Sequence, residues 1–371
     1  MFPGPRAVRA LPLLLCLLLA GCGGRPPADT ADRAIRRAVA DWARAAPAQL
    51  AGIPLEGRSY EVASVRRDGV RALVRAQLRY RLAGYDAAPD GSARELEVTG
   101  DGGAWRVRAE RPAPGAPRQL WDQGPVAVVR GAHCLVLGGA GQSGDTLREI
   151  AAEADRAVPA ASAAWPRPWA GRVVVLVPGS LERMAELLGR PADAYRGLGA
   201  VTTGRVGAGP APADRVVVNP EGWAGLSGEG RRIVLTHEVT HVATRTATSD
   251  TTPLWLSEGF ADWAAYRGSG ATPEQGAPTL ARAVRRGEVP GGLPPAEAFA
   301  FGGEPEAVAR AYEGAWLACR LIAQRWGDAA LVGLYAAAGR QALPTALREA
   351  VGVDPAELTA SWREALRREL R

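Results

Sequence analysis

The sequence predicts an α+β protein in two parts. An N-terminal helix packs on an antiparallel sheet, and a larger second part combines a small sheet with a run of helices toward the C-terminus. Three observations carry this prediction. Positions 70–82 alternate apolar residues with mostly arginine behind an Asp68-Gly69 pair, which is the signature of a hairpin strand with one buried face. The stretch 172–177 (RVVVLV) is close to continuously apolar, as expected of a central strand covered on both faces. From 307 onward, apolar residues recur at helical spacing between Gly and Pro stops.

In chain order, Asp29 or Thr30 caps a first helix whose apolar stripe is Ile35, Val39, Trp42 and Ala46, and Pro47 ends it. Strands follow at 60–66 and 70–82, the second turning Val70, Ala72, Val74, Ala76, Leu78, Tyr80 and Leu82 to one face. Two more lie at 93–99 and 104–109 around Asp101-Gly102. The proline-rich stretch 112–125 reads as a linker, which makes 28–111 one domain and 126–371 the other. The second opens with a strand at 126–137 containing His133 in a structural role. A helix starting at Asp145 then directs Leu147, Ile150, Ala154 and Val158 inward. The central strand at 172–177 precedes a helix bearing Leu181, Met184 and Leu188, and a pair of strands at 197–203 and 216–219. Beyond a pair of helices described below, 268–295 is rich in Gly, Pro and Arg and reads as irregular. Helices return at 307–326 and 328–338. The last one is announced by Asp354, Pro355 and Glu357, a capping box with proline in the first turn, and its inner face is Leu358, Trp362, Leu366 and Leu370.

The chemistry concentrates between residues 231 and 263. Only three histidines occur in the chain, and two stand in His237-Glu238-Val239-Thr240-His241. Ser227 can cap a helix here, which sets both imidazoles one turn apart on the same face, within reach of one metal ion. Glu238 beside the first histidine is placed to take a proton from water polarised by that metal. A tetrahedral catalytic zinc needs a third protein ligand and one open position. After the polar reversing loop 245–252, Glu258 offers that ligand from a second short helix, among Leu254, Trp255, Leu256 and Phe260.

HEVTH followed by PLWLSEGFADW resembles the peptidase MA-like family of gluzincins, the thermolysin-type zinc peptidases. The resemblance extends over about 125–371, with its specific motifs inside 237–262, and implies a zincin-like second domain. It implies that His237, His241 and Glu258 bind Zn2+, that Glu238 is the general base, and that Asp262 orients the first histidine. It further suggests Ala200, Val201 and Thr202 as an edge strand for substrate main chain, and the Tyr312 hydroxyl as a partner of the developing oxyanion. The implied activity is hydrolysis of peptide bonds in a peptide or protein substrate. The alternative is a catalytically inactive zincin-fold lipoprotein acting as a binding or scaffold module. More weakly, the N-terminal helix and sheet resemble the NTF2-like cone fold, as a spacer or binding domain.

Targeting is written at the start. Arg6 and Arg9 precede an apolar core ending in Leu19-Ala20-Gly21-Cys22, a secretory signal too short to span a bilayer as a mature helix. That ending resembles the bacterial lipobox, which implies cleavage after residue 21 and lipidation of Cys22. The expected location is the extracytoplasmic face of the bacterial cell membrane. Removing Arg6 and Arg9 with the signal lowers the formal charge of +6 by two, and the remaining excess is spread without a basic run. No nucleic-acid footprint results. Cys134 and Cys319 remain, either paired in an oxidising exterior or buried as free thiols.

Overall fold

The computed structural model describes residues 30–45, 47, 50–101, 104–203, 213–300 and 303–371. The leader, Cys22 and the Ala46 end of the first helix lie outside them.

The molecule is a mixed α+β structure, with an antiparallel sheet at its N-terminal end and a mainly helical remainder. Helix α1 (Thr30–Arg44) is followed by β1 (Leu55–Asp68), β2 (Arg71–Leu82), β3 (Asp90–Asp101) and β4 (Ala104–Pro112), which pair antiparallel in sequence order. The alternation in β2 has its expected consequence: Ala72, Val74, Ala76, Leu78, Tyr80 and Leu82 are buried. Val70 is a correction, since it sits in the turn rather than the strand and is 66% exposed. One end of the buried face lies under Ile35, Ala38 and Val39 of α1. The other end continues onto the second sheet, where Leu82 packs with Leu135, Leu137 and Val174.

The second sheet comprises β5 (Ala127–Arg130), β6 (Cys134–Gly138), β7 (Val173–Val177), β8 (Ala200–Thr202) and β9 (Val216–Val218), in the order β5-β6-β7-β9-β8. The middle three are parallel and the two edges antiparallel. Its alternate residues serve two cores. Val136, Val173, Val175, Val216, Val218 and Ala200 face the helices, whereas Leu135, Leu137, Val174 and Val217 face the other way. Hence its three inner strands read as apolar runs with no period.

That lack of period also misled the expectation of one strand at 126–137. The chain turns at 131–133 to make a β5–β6 hairpin, and His133 is in the turn, exposed, rather than on a strand. The Asp155 carboxylate holds this turn by accepting the amides of Ala132 (2.8 Å) and His133 (2.7 Å).

The helices are α2 (Gly144–Ala164), α3 (Leu181–Leu188), α4 (Pro220–Ala224), α5 (Gly228–Thr244), α6 (Leu254–Tyr266), α7 (Pro273–Gly276), α8 (Pro278–Arg285), α9 (Pro305–Trp326), α10 (Asp328–Ala338), α11 (Leu343–Val351) and α12 (Pro355–Glu369). The Asp354–Glu357 capping box is formed as expected. The stretch expected to be irregular contains α7 and α8. Thr272 and Gln275 cap α7 reciprocally, and Leu280, Ala281 and Val284 of α8 enter the core. Cys134 and Cys319 are both buried free thiols. No helix of the described residues is long and apolar enough to cross a membrane.

Ion pairs from Arg215 tie the two sheets together. Arg215, just before β9, makes two hydrogen bonds (2.6 and 2.8 Å) to Asp86 in the β2–β3 connection. The two side chains are 7% and 1% exposed, and Asp86 also accepts the Leu82 amide at 2.7 Å. Removing Asp86 leaves the Arg215 guanidinium only the more distant Asp90 carboxylate, 3.7 Å away, a loss of up to about 3–5 kcal/mol. Asp86→Ala is therefore expected to lower the thermal midpoint sharply, with Arg215→Met on the same chain recovering part of the loss. A melt unchanged by Asp86→Ala would show that the pair does not hold the sheets.

Candidate metal centre

The helix carrying His237 and His241 begins where Ser227 Oγ accepts the Gly230 amide at 3.1 Å. It is buried on several sides. Leu235, Val239 and Ala243 enter the apolar core, and Thr236, Thr240 and Thr244 are buried as well. Buried hydroxyls need partners. Thr240 and Thr244 find them one turn back on the Thr236 and Thr240 carbonyls, at 2.7 and 3.0 Å.

Helix α6 returns beside it. The pairing is held by Tyr335 of α10, whose hydroxyl lies 2.8 Å from Thr248 Oγ1, 3.2 Å from Thr244 Oγ1 and 3.4 Å from Ser257 Oγ. The Tyr335 ring also packs at steep angles against Phe260 and Trp165. Gly259, next to Glu258, is needed for the other neighbour. A Cβ there would come within 2.2 Å of the Ala315 carbonyl oxygen, so only glycine lets α9 lie this close to α6.

These contacts bring three donor atoms together. His237 Nε2 is 3.0 Å from His241 Nε2, and Glu258 Oε2 lies 3.3 Å from the first and 3.4 Å from the second. Four ligands at about 2.0–2.1 Å around a tetrahedral ion stand roughly 3.3 Å apart, so the triangle has the size that a single zinc requires. His237 Nδ1 is 2.7 Å from Asp262 Oδ1. That hydrogen bond places the ring proton on Nδ1 and leaves the Nε2 lone pair aimed into the triangle. Two imidazole nitrogens and one carboxylate oxygen form a donor set suited to Zn2+.

The remaining expected residues fall around this cluster. Glu238 is buried, with Oε2 2.6 Å from Thr202 Oγ1. Tyr312 is half-buried on α9, packed against Phe299, with its ring centre 6.5 Å from that of His237. Burial, with Glu258, Asp262 and Glu238 adding to it, raises the Tyr312 phenol, so the hydroxyl keeps its proton.

Ala200, Val201 and Thr202 form β8, the outer strand of the second sheet. Their orientations differ. The amide of Asn219 donates to the Gly199 carbonyl, and the amide of Thr203 donates to the Arg215 carbonyl. The alternation of an antiparallel ladder then commits Val201 to β9 and turns the main-chain groups of Ala200 and Thr202 outward. The Thr202 side chain points to Glu238 rather than to the strand's free edge, a contact that sequence reading missed. A cleft of about 310 Å³ opens beside the cluster between Asp262, Tyr266, Tyr312, Glu313 and Trp316. A larger one, about 1010 Å³, lies on the far face of the second sheet against Val201 and Arg215, away from the donors.

No family model and no curated relative matches the chain. Among solved structures it is similar to native yeast LTA4 hydrolase, at 13% identity and a TM-score of 0.41 over 65% of this chain and 39% of that one. It is also similar to a mutant M1 zinc metallopeptidase from Deinococcus radiodurans bound to a Tyr-Ser-Ala substrate. There the identity is 16% and the TM-score 0.33, over 85% of this chain and 62% of that one. The chain spans less than two thirds of either protein.

In protein stripped of metal, burial opposes a charged His237, but Asp262 and then Glu258 outweigh it and hold the ring well above its ordinary 6.5. Burial likewise opposes ionised Glu258, and the two imidazoles outweigh it, holding the carboxyl below its ordinary 4.5. A raised histidine contributes stability that is complete below 6.5 and lost as pH rises through its folded value. A lowered carboxylate contributes stability that is complete above 4.5 and lost as pH falls through its folded value. The cluster's own contribution is therefore largest between pH 4.5 and 6.5. Thermal melts of EDTA-treated protein should show this optimum flattened in Asp262→Asn. An identical pH profile in that variant would contradict the pairing.

Proposed function

We propose that this chain is a membrane-tethered, extracytoplasmic zinc metallopeptidase of gluzincin type, hydrolysing peptide bonds in peptide or protein substrates. The observation that carries the reading is the convergence of His237 Nε2, His241 Nε2 and Glu258 Oε2 at mutual distances of 3.0–3.4 Å, with Glu238 adjoining the first of them. His237, His241 and Glu258 would hold the ion. Bound there, zinc supplies a Lewis acid and lowers the pKa of water toward neutrality.

The chain's own groups do the rest. Asp262 fixes the tautomer and orientation of His237. An extended substrate pairs with the outward amides and carbonyls of Ala200 and Thr202, while Val201 keeps the strand on β9. Glu238 takes a proton from the attacking water and passes it to the leaving amine nitrogen, so one water is consumed per bond broken. The Tyr312 hydroxyl donates to the substrate oxygen as negative charge develops on it.

The division into a 28–111 domain, a 112–125 linker and a 126–371 peptidase domain belongs to the same proposal. One helix on a four-stranded antiparallel sheet supports an NTF2-like reading of the first part, as a spacer or binding domain. Tethering rests on the Leu19-Ala20-Gly21-Cys22 sequence.

Two experiments test these readings. Glu238→Gln should retain one zinc per chain yet lose hydrolysis of fluorescein-labelled casein by about 100-fold or more, whereas His241→Ala should lose the metal. Undiminished hydrolysis by Glu238→Gln would overturn the base assignment. For the tether, Cys22→Ala should abolish incorporation of labelled palmitate and release the protein from the membrane fraction. Continued labelling of that variant would count against a lipid at Cys22.

A further inference from the structure

Thr202 stands where the substrate strand meets the base. Its main chain faces the outer edge of β8, and its side chain crosses to α5. There Oγ1 lies 2.6 Å from Glu238 Oε2 and 3.0 Å from the Glu238 carbonyl oxygen. A hydroxyl has one proton to give. The carboxylate oxygen is the nearer acceptor and the charged one, and short O–H···O⁻ contacts belong to the stronger class of hydrogen bond. Among the described residues, no other hydrogen bond reaches the Glu238 carboxylate. Without Thr202, rotation about its last torsion, which has broad wells, would be unopposed.

The position of Thr202 is itself held. Arg245 at the end of α5 donates to the Thr203 carbonyl at 2.9 Å and to both oxygens of Asp214 at 3.0 and 3.1 Å. Thr203 Oγ1 accepts the Arg215 amide at 3.0 Å. The end of β8 is thereby fastened to the helix that carries the base, and β-branching limits the Thr202 side chain to few rotamers.

We propose that Thr202 is a positioning residue. Its hydroxyl holds Oε2 of Glu238, so that Oε1 is the atom that receives the proton from water. The proposal rests on Glu238 acting as the base. It also means that a peptide paired with the Thr202 main chain is set in register with that base through a single residue.

The test compares zinc-loaded Thr202→Val and Thr202→Ser with the unchanged protein, by hydrolysis of fluorescein-labelled casein, zinc content and crystal structure. Valine keeps the shape and the main-chain edge but lacks the donor. It should lower kcat about tenfold with apparent KM and bound zinc unaltered, and its crystals should show the Glu238 carboxylate turned from its original position. Serine should restore the carboxylate position and most of kcat. A Thr202→Val protein with full kcat, or with the carboxylate unmoved, overturns the proposal. If Glu238→Gln hydrolyses casein normally, the base assignment fails instead, and the carboxylate's position in Thr202→Val still decides whether Thr202 holds it.

Discussion

The constraint on which the rest depends is the close, polar contact of α5 with α6. Two imidazoles and a carboxylate whose donor atoms all fall within 3.4 Å of one another are not an arrangement that packing alone would favour. Their lone pairs converge at a site only partly open to solvent. Asp262 compensates for part of this by accepting a hydrogen bond from His237 Nδ1. A divalent cation would compensate for the rest, and its binding energy would then become folding energy for the helix pair.

The surrounding elements make sense as support for that contact. Gly259 admits α9, which brings the Tyr312 ring centre to 6.5 Å from that of His237. Tyr335, through Thr244, Thr248 and Ser257, fastens the far end of the pair with hydroxyls rather than charges. Also against α5, the short edge strand β8 contributes Ala200 to the core and Thr202 to Glu238. Helix and strand are thus joined at the carboxylate itself. The Arg215–Asp86 pair extends the same rigidity to the N-terminal sheet, whose long strand β2 shares its buried face between α1 and the back of the second sheet.

Much of this was legible in the sequence where one face of an element is buried and the other is not. The alternation in β2, the stripe of α1 and the capping box of α12 each encode one buried side, and each is readable from local spacing. The residues of the donor cluster were legible for a different reason, because their chemistry restricts them to few spacings. Elements buried on both faces lose their period. In 126–137 only the second half is so buried, while the edge strand before it is apolar but partly exposed, and the hairpin turn between them depends on Asp155, 22 residues beyond His133. Proline and glycine in 268–295 masked α8, whose burial comes from its neighbours. The side-chain partners were the least accessible. Thr202 reaches Glu238 across 36 residues and Arg215 reaches Asp86 across 129, and nothing local in either segment announces its partner.

The central claim is that His237, His241 and Glu258 enclose one divalent cation. Its most direct test is anomalous diffraction at the zinc absorption edge, from crystals of protein supplied with one equivalent of zinc. The account predicts a single strong peak bounded by the two Nε2 atoms and Glu258 Oε2. No peak there, in protein whose other contacts are intact, would contradict it.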